Sequence, residues 1–201
     1  MSSDSVVEFA SWPASEAFKA DRTLAHPALT ILAGCKGAQK IYYGIQHEDQ
    51  TTAKLIIIWD SLADHQALID DKPLYATLGG LLGPVLAGEI TLFHVKFAAV
   101  ESIPAHLEAP ITELATATIK DTSKSAELEA EFAKGAAVGL GSSGKVVEHE
   151  KQWLLVKGWQ SIEEEHEAFR KGVTEATTLL TNLRQLVEPE IAHWQLTAFK
   201  V

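Results

Sequence analysis

The chain has 201 residues, 46% of them hydrophobic and 22% charged, with a formal net charge of −10 and a single cysteine, Cys35. That length fits one larger domain or two of about 100 residues each, with enough apolar matter for a core. The acid excess argues against a nucleic-acid backbone as partner, one cysteine excludes an intrachain disulfide or a cysteine-rich metal site, and no run approaches the ~18 apolar residues of a membrane span.

The first stretch, MSSDSVVEFASWPASEAFKADR, has no basic segment leading into an apolar one, so a secretory signal is not expected and cytoplasmic residence is. Val6 to Ser11 reads as a strand, followed by a helical region from Pro13, which suits a first helical turn, to about Cys35, broken near His26-Pro27. KIYYGIQHE (40–48) and AKLIIIWDS (53–61) read as strands, joined as a hairpin by the polar link Asp49 to Thr52. Leu62 to about Leu82 reads as one helix, capped by Asp60 or Ser61 and ended by Gly79-Gly80 and Gly83-Pro84. EITLFHVKF (89–97) is a fourth strand, completing a β-α-β-β-α-β order.

Residues 99–109 read as a linker, and the order then starts again. ITELATATIK (111–120) is a strand, SAELEAEFAKGAAVG (125–139) a helix, and KVVEHE (145–150) with QWLLVKGW (152–159) a hairpin. A long helix from about Ile162 to Val187 and the strand EIAHWQLTAF (190–199) close the chain. The expected domains are a first repeat over 1–98, the linker 99–109 and a second, more degenerate repeat over 110–201. WDSLADHQAL and WQSIEEEHEAF carry the duplication most openly: Trp59 aligns with Trp159 and Ser61 with Ser161. One extra residue in the second copy then sets His65 against His166, Leu92 falls against His193, and the first strands align at an offset near 105.

A β-α-β-β-α-β unit puts both helices on one face of a four-stranded sheet and leaves the other face bare. Yet Leu55, Ile57 and Trp59 alternate with Ile56 and Ile58, and Leu155 and Trp159 with Leu154 and Val156, so both faces are apolar. Covering a few hundred Å² of each bare face stabilises by several kcal/mol at ~25 cal/mol per Å². The expected fold class is therefore α+β, with two tandem ferredoxin-like repeats packed sheet to sheet as an intramolecular α+β barrel.

WDSLADHQALIDDKPLYATLGGLLGPVLAG followed by EITLFHVKF resembles the C-terminal half of a dimeric α+β barrel domain of the antibiotic-biosynthesis monooxygenase (ABM) superfamily, and WQSIEEEHEAF with EIAHWQLTAF resembles a degenerate second copy. The resemblance implies the barrel, with a small-molecule cavity between each sheet and its helices. It spans cofactor-independent quinone-forming monooxygenases, haem-degrading enzymes, polyketide cyclases, muconolactone isomerases and stress-responsive proteins, so it implies no single reaction.

Strand alternation puts Ile41, Tyr43, Ile45 and His47 on one face, and Ile90, Leu92 and His94 on another. The expected first-copy site has His94 as base or orienting group, Tyr43 and His47 as polar partners, and Trp59, His65, Ile57 and Leu92 around the ligand. Imidazoles titrate near neutrality and a phenol can hold an enolate oxygen. Glu163 to Glu165 read as a helix start on a solvated face. No His-x-x-x-His pair or acidic cluster at ligand spacing marks a metal site. A haem would need an axial ligand, for which His65 is nearest, but His65 lies closer to Trp59 than the haem-degrading pattern suggests, and the expectation is no cofactor. The functional expectation is a barrel that binds a small planar apolar or phenolic compound and oxidises or cyclises it without a metal. The alternative is a non-catalytic stress-responsive or ligand-carrier protein, and either leaves further homo-oligomer formation open.

Overall fold

The computed structural model describes residues 4–171 and 174–200. It begins with β1 (Val6–Pro13), α1 (Glu16–Ala20), a 3-10 turn over Arg22–Ala25, α2 (His26–Ala33), β2 (Ala38–Gln46) and β3 (Thr52–Trp59). Two helices, α3 (Leu62–Asp70) and α4 (Lys72–Leu82), lead to β4 (Thr91–Phe97) and a short α5 (Ile103–Leu107). The pattern then repeats as β5 (Ile111–Ile119), α6 (Ser125–Ala137), β6 (Ser142–Val146), β7 (Gln152–Trp159), α7 (Ile162–Lys171), α8 (Thr174–Leu186) and β8 (Val187–Phe199). The strands are hydrogen-bonded in the order β1-β3-β2-β8-β5-β7-β6-β4 and close a barrel. This is the expected α+β class, two tandem ferredoxin-like repeats in one antiparallel barrel. Two compact units divide it: the chain up to His94 together with the stretch from Gln195 on, and Val95–Trp194. No helix among the described residues is long and apolar enough to cross a membrane.

In the first unit Ala10, Trp12, Tyr43, Leu55, Ile57 and Trp59 pack with Phe18, Leu29, Leu32, Leu68 and Leu78 of the helices into one core. The opposite side of the same strands is just as dry: Val7, Phe9, Tyr42, Ile56 and Ile58 are each 0% exposed. Two dry faces on one sheet account for the continuous apolar run LIIIW. The second unit repeats the arrangement, with Ala117, Ile119 and Trp153 against Leu128 and Phe132 of α6 and Leu183 and Leu186 of α8. Leu114, Leu154 and Val156 are buried on its other side.

Proline and side-chain caps move several boundaries from where periodicity puts them. Pro13 ends β1 rather than starting a helix: the backbone N–H of Ala14 goes on to bond the Thr51 carbonyl at 2.7 Å, and α1 is opened by Ser15, which accepts from Phe18 N at 3.1 Å. The expected helix over 62–82 is two, because Asp71 leaves helical geometry and caps α4 at Leu74 N, at 3.1 Å, with Pro73 in the first turn where its missing N–H is harmless. The stretch expected as a linker, 99–109, carries a 3-10 turn and α5, burying Val100, Ile103 and Leu107. The stretch expected as a long helix from Ile162 is helical over Ile162–Lys171 and Thr174–Leu186, residues 172 and 173 lying outside the described residues, and β8 already begins at Val187.

Two residues of the first unit carry consequences for stability. Lys54 sits among the apolar residues on the face away from the helices; its Nζ donates to Ser11 Oγ at 2.7 Å, and burial pushes its pKa down to about 7. The unfolded chain, with an ordinary lysine near 10.4, holds more protons between those values, so this group makes stability rise as pH climbs from about 7 towards ~10. Lys54→Met is expected to flatten that rise and to raise stability below pH 7 by on the order of a few kcal/mol, read from urea unfolding across pH. At Gly44 an added Cβ would strike the Gln195 carbonyl oxygen, so Gly44→Ala is expected to lower the unfolding midpoint sharply, where an ordinary strand Gly→Ala would raise it.

Candidate functional site

On β1 the helix-facing positions read Val6, Glu8, Ala10 and Trp12, so an acid stands in an apolar row. Glu8 is 5% exposed, and a buried carboxylate is costly without hydrogen bonds. The end of β3 supplies one: the indole N–H of Trp59 donates to Glu8 Oε2 at 2.8 Å. Ser61 caps α3 by accepting from Asp64 N at 3.2 Å, and that start angle lays His65 flat on the Trp59 ring, centroids 5.0 Å apart and planes 17° from parallel. The His65 Nε2 then faces Glu8 Oε2 at 3.6 Å, beyond hydrogen-bond range but within ion-pair range. Its Nδ1 and His94 Nε2 share a hydrogen bond of 2.7 Å. Indole, carboxylate and two imidazoles thus run in a line, with one ring proton held between the histidines.

Glu8 and His65 open onto a cavity of about 230 Å³, whose walls include Ile57, Leu78 and Leu92. Tyr75, Ile90 and Leu92, large apolar side chains left exposed, also line it and give it an apolar approach. Larger grooves of about 430 Å³ beside α6 and about 420 Å³ beside Cys35 contain neither Glu8 nor His65, so size alone does not select the site.

The expected site residues separate on this geometry. His65, Ile57 and Leu92 line the cavity, whereas His94 stands behind His65 and Trp59 is fully buried, holding Glu8 and His65 in place. Tyr43 and His47 are not brought to it. The Tyr43 hydroxyl bonds His26 Nε2 at 2.7 Å, and burial, the largest influence, raises its pKa. His47 is half-buried after the end of β2. Glu8 escapes a search for histidines, although an acid in the inward phase of VVEFASW is itself a signal.

The second repeat keeps the frame and changes the occupants. Trp159 Nε1 donates to Glu113 Oε2 at 2.7 Å, as Trp59 does to Glu8. Burial raises the Glu113 pKa first and Glu165 adds to it, while the Trp159 N–H and the His193 and Lys157 charges pull it down. The place of His65 is taken by Glu165 and that of His94 by His193, whose Nε2 lies 2.7 Å from Glu165 Oε2. This corrects the expected alignment of His65 with His166, which is exposed, and of Leu92 with His193. It also removes Glu165 from the solvated face expected for the acidic run, since it is 6% exposed. The cavity beside Glu113 measures about 40 Å³.

No protein-family profile and no curated protein matches the sequence. Solved structures do share the fold. A putative monooxygenase from Fusobacterium nucleatum superposes with a TM-score of 0.69 at 10% identity, covering 100% of both chains. An anthrone oxidase-like protein gives 0.67 at 15% identity over 98% of this chain and 94% of its own. A chlorite dismutase variant from Candidatus Nitrospira defluvii gives 0.54 at 11% identity over 96% and 92%. Together with the closed eight-strand barrel, these matches show that the chain shares its tandem α+β barrel fold with these proteins. Of the His65 ring nitrogens, Nδ1 is bonded to His94 while Nε2 faces Glu8 at 3.6 Å, and the cavity of about 230 Å³ falls below the ~300–1,000 Å³ typical for sites of drug-sized ligands.

Trp59→Phe keeps the ring stack and removes one donor. It is expected to destabilise the protein by ~1–3 kcal/mol in urea unfolding, since Glu8 stays buried short of a bond. A smaller loss than ~0.5 kcal/mol would show that Glu8 does not depend on the indole.

Proposed function

We propose, with the ABM-like tandem barrel as the frame, that the first repeat binds a small planar phenolic or enolisable compound in the 230 Å³ cavity and takes a proton from it through Glu8 and His65. The observation that carries this reading is a buried acid–base line opening onto an apolar cavity, the combination expected of a site that ionises a weak carbon or oxygen acid. Size narrows the ligand. A cavity of ~150 Å³ takes benzene, so about 230 Å³ suits one ring with substituents or two fused rings rather than a long polyketide.

In this reading the ring lies between Ile57, Leu78 and Leu92 with its acidic group towards Glu8. Glu8 or His65 accepts the proton, and His94, bonded to His65, is a positioning residue that fixes the ring and shares the charge. The apolar walls keep water from the anion, which raises its reactivity. A doubly activated methylene ionised in this way can reduce dioxygen. The carbanion forms a C–O bond, the peroxide takes up the proton, and the hydroperoxide then loses water. One methylene and one dioxygen thus become one ketone carbonyl and one water, with the two methylene hydrogens leaving in the water. The substrate supplies the electrons, so no cofactor is required. The free Cys35 suits a reducing, cytoplasmic setting.

The test is thermal shift with 1-naphthol and with indane-1,3-dione, a two-ring compound with a doubly activated methylene, and oxygen uptake with the latter. Binding is expected to raise Tm, Leu78→Trp to abolish the shift by filling the cavity, and His65→Ala to cut oxygen uptake ~10²–10⁴-fold. His94→Ala is expected to lower kcat more than it changes KM. Stabilisation without oxygen uptake would favour the carrier reading; no stabilisation by any planar probe would remove the ligand site altogether.

A further inference from the structure

The second repeat's cluster differs from the first in charge and in bonding. In the first, one carboxylate faces two imidazoles that share a hydrogen bond. In the second, Glu113 from β5 and Glu165 from α7, 5% and 6% exposed, face one imidazole, His193 from β8. Two buried carboxyl groups there meet one imidazole, the reverse of the first repeat's ratio. The Lys157 ammonium acts on Glu113 from a distance, as its Nζ donates to the Gly139 carbonyl at 2.7 Å and lies 5.0 Å from the Trp159 ring centre.

The bonding is also incomplete. Glu165 Oε2 lies 2.7 Å from His193 Nε2, an ion-pair separation, and this buried carboxylate oxygen makes no hydrogen bond among the described residues. One ligand atom from each of Glu113, Glu165 and His193 lies within 4.8 Å of the others. Zn²⁺ holds nitrogen and carboxylate ligands at about 2.0–2.2 Å, so small rotations of the three side chains close the set around an ion. The Trp159 N–H on Glu113 Oε2 is the outer bond that aims a metal-binding carboxylate. The cavity of about 40 Å³ beside Glu113 has room for water to complete the coordination.

We propose that Glu113, Glu165 and His193 bind one divalent transition-metal ion of the Zn²⁺ or Mn²⁺ kind, whose charge neutralises the two carboxylates. This site is independent of the first repeat's ligand.

The full chain, stripped with EDTA and dialysed against zinc or manganese chloride, is expected to retain one equivalent of metal and to gain thermal stability. Glu165→Gln and His193→Gln are expected to weaken retention at least ~10-fold, and Glu8→Gln to leave one equivalent bound. If a second-repeat variant does not fold, Co²⁺ added to the unaltered protein decides. The His193 ring resonances should broaden. Retention of no Zn²⁺, Mn²⁺ or Co²⁺, unchanged retention in both variants, or a His193 signal untouched by Co²⁺ would each overturn the proposal.

Discussion

The indole N–H of Trp59 on the carboxylate of Glu8 is the bond on which the first repeat's buried cluster, and the chemistry proposed for it, rests. A carboxylate placed between sheet and helices must be held by donors or be neutralised. Once the indole holds it, the same Trp59 ring becomes a platform for His65, and His65 then lies between Glu8 and His94. Remove the tryptophan and two things go together: the donor that makes an inward acid tolerable, and the surface that orients the first imidazole.

The second repeat shows what this frame fixes and what it leaves variable. The tryptophan–glutamate bond recurs, 2.8 Å in one copy and 2.7 Å in the other. What changes is the next side chain along the third-strand turn, a histidine at 65 and a glutamate at 165. That exchange turns two imidazoles and one acid into two acids and one imidazole. It is accompanied by a fall in adjoining cavity volume from about 230 to about 40 Å³. One copy thus sets one acid and two imidazoles beside the larger cavity, the other two acids and one imidazole beside the smaller. The two copies keep the tryptophan–glutamate frame and differ in the side chains set against it.

The fold was legible because its causes are local or periodic. Apolar residues on both phases of LIIIW require two dry sheet faces, and Trp59 with Trp159 marks the copies. Boundaries at Pro13, Asp71 and Val187 were less so, because a strand partner or a capping side chain decides them, and neither shows in periodicity. The site was legible in part. His65, Ile57 and Leu92 reach the cavity as strand and helix phase implied, and His94 lies beside them, one layer back. Tyr43 shares its strand face with Trp59's neighbours, yet His26, arriving from α2, claims its hydroxyl. Glu8 and the Glu113–Glu165–His193 set draw on elements far apart in sequence, so no spacing rule exposes them. The first strands' offset of 105 did place Glu113 on Glu8, an acid repeated at an inward position.

The most direct test is an NMR spectrum of the eight histidine rings with and without 1-naphthol. The account predicts that the His65 and His94 nitrogens shift together on binding, while the His166 and His193 rings keep their positions. Naphthol bound with His65 and His94 unmoved would contradict the proposed site and the chemistry assigned to it.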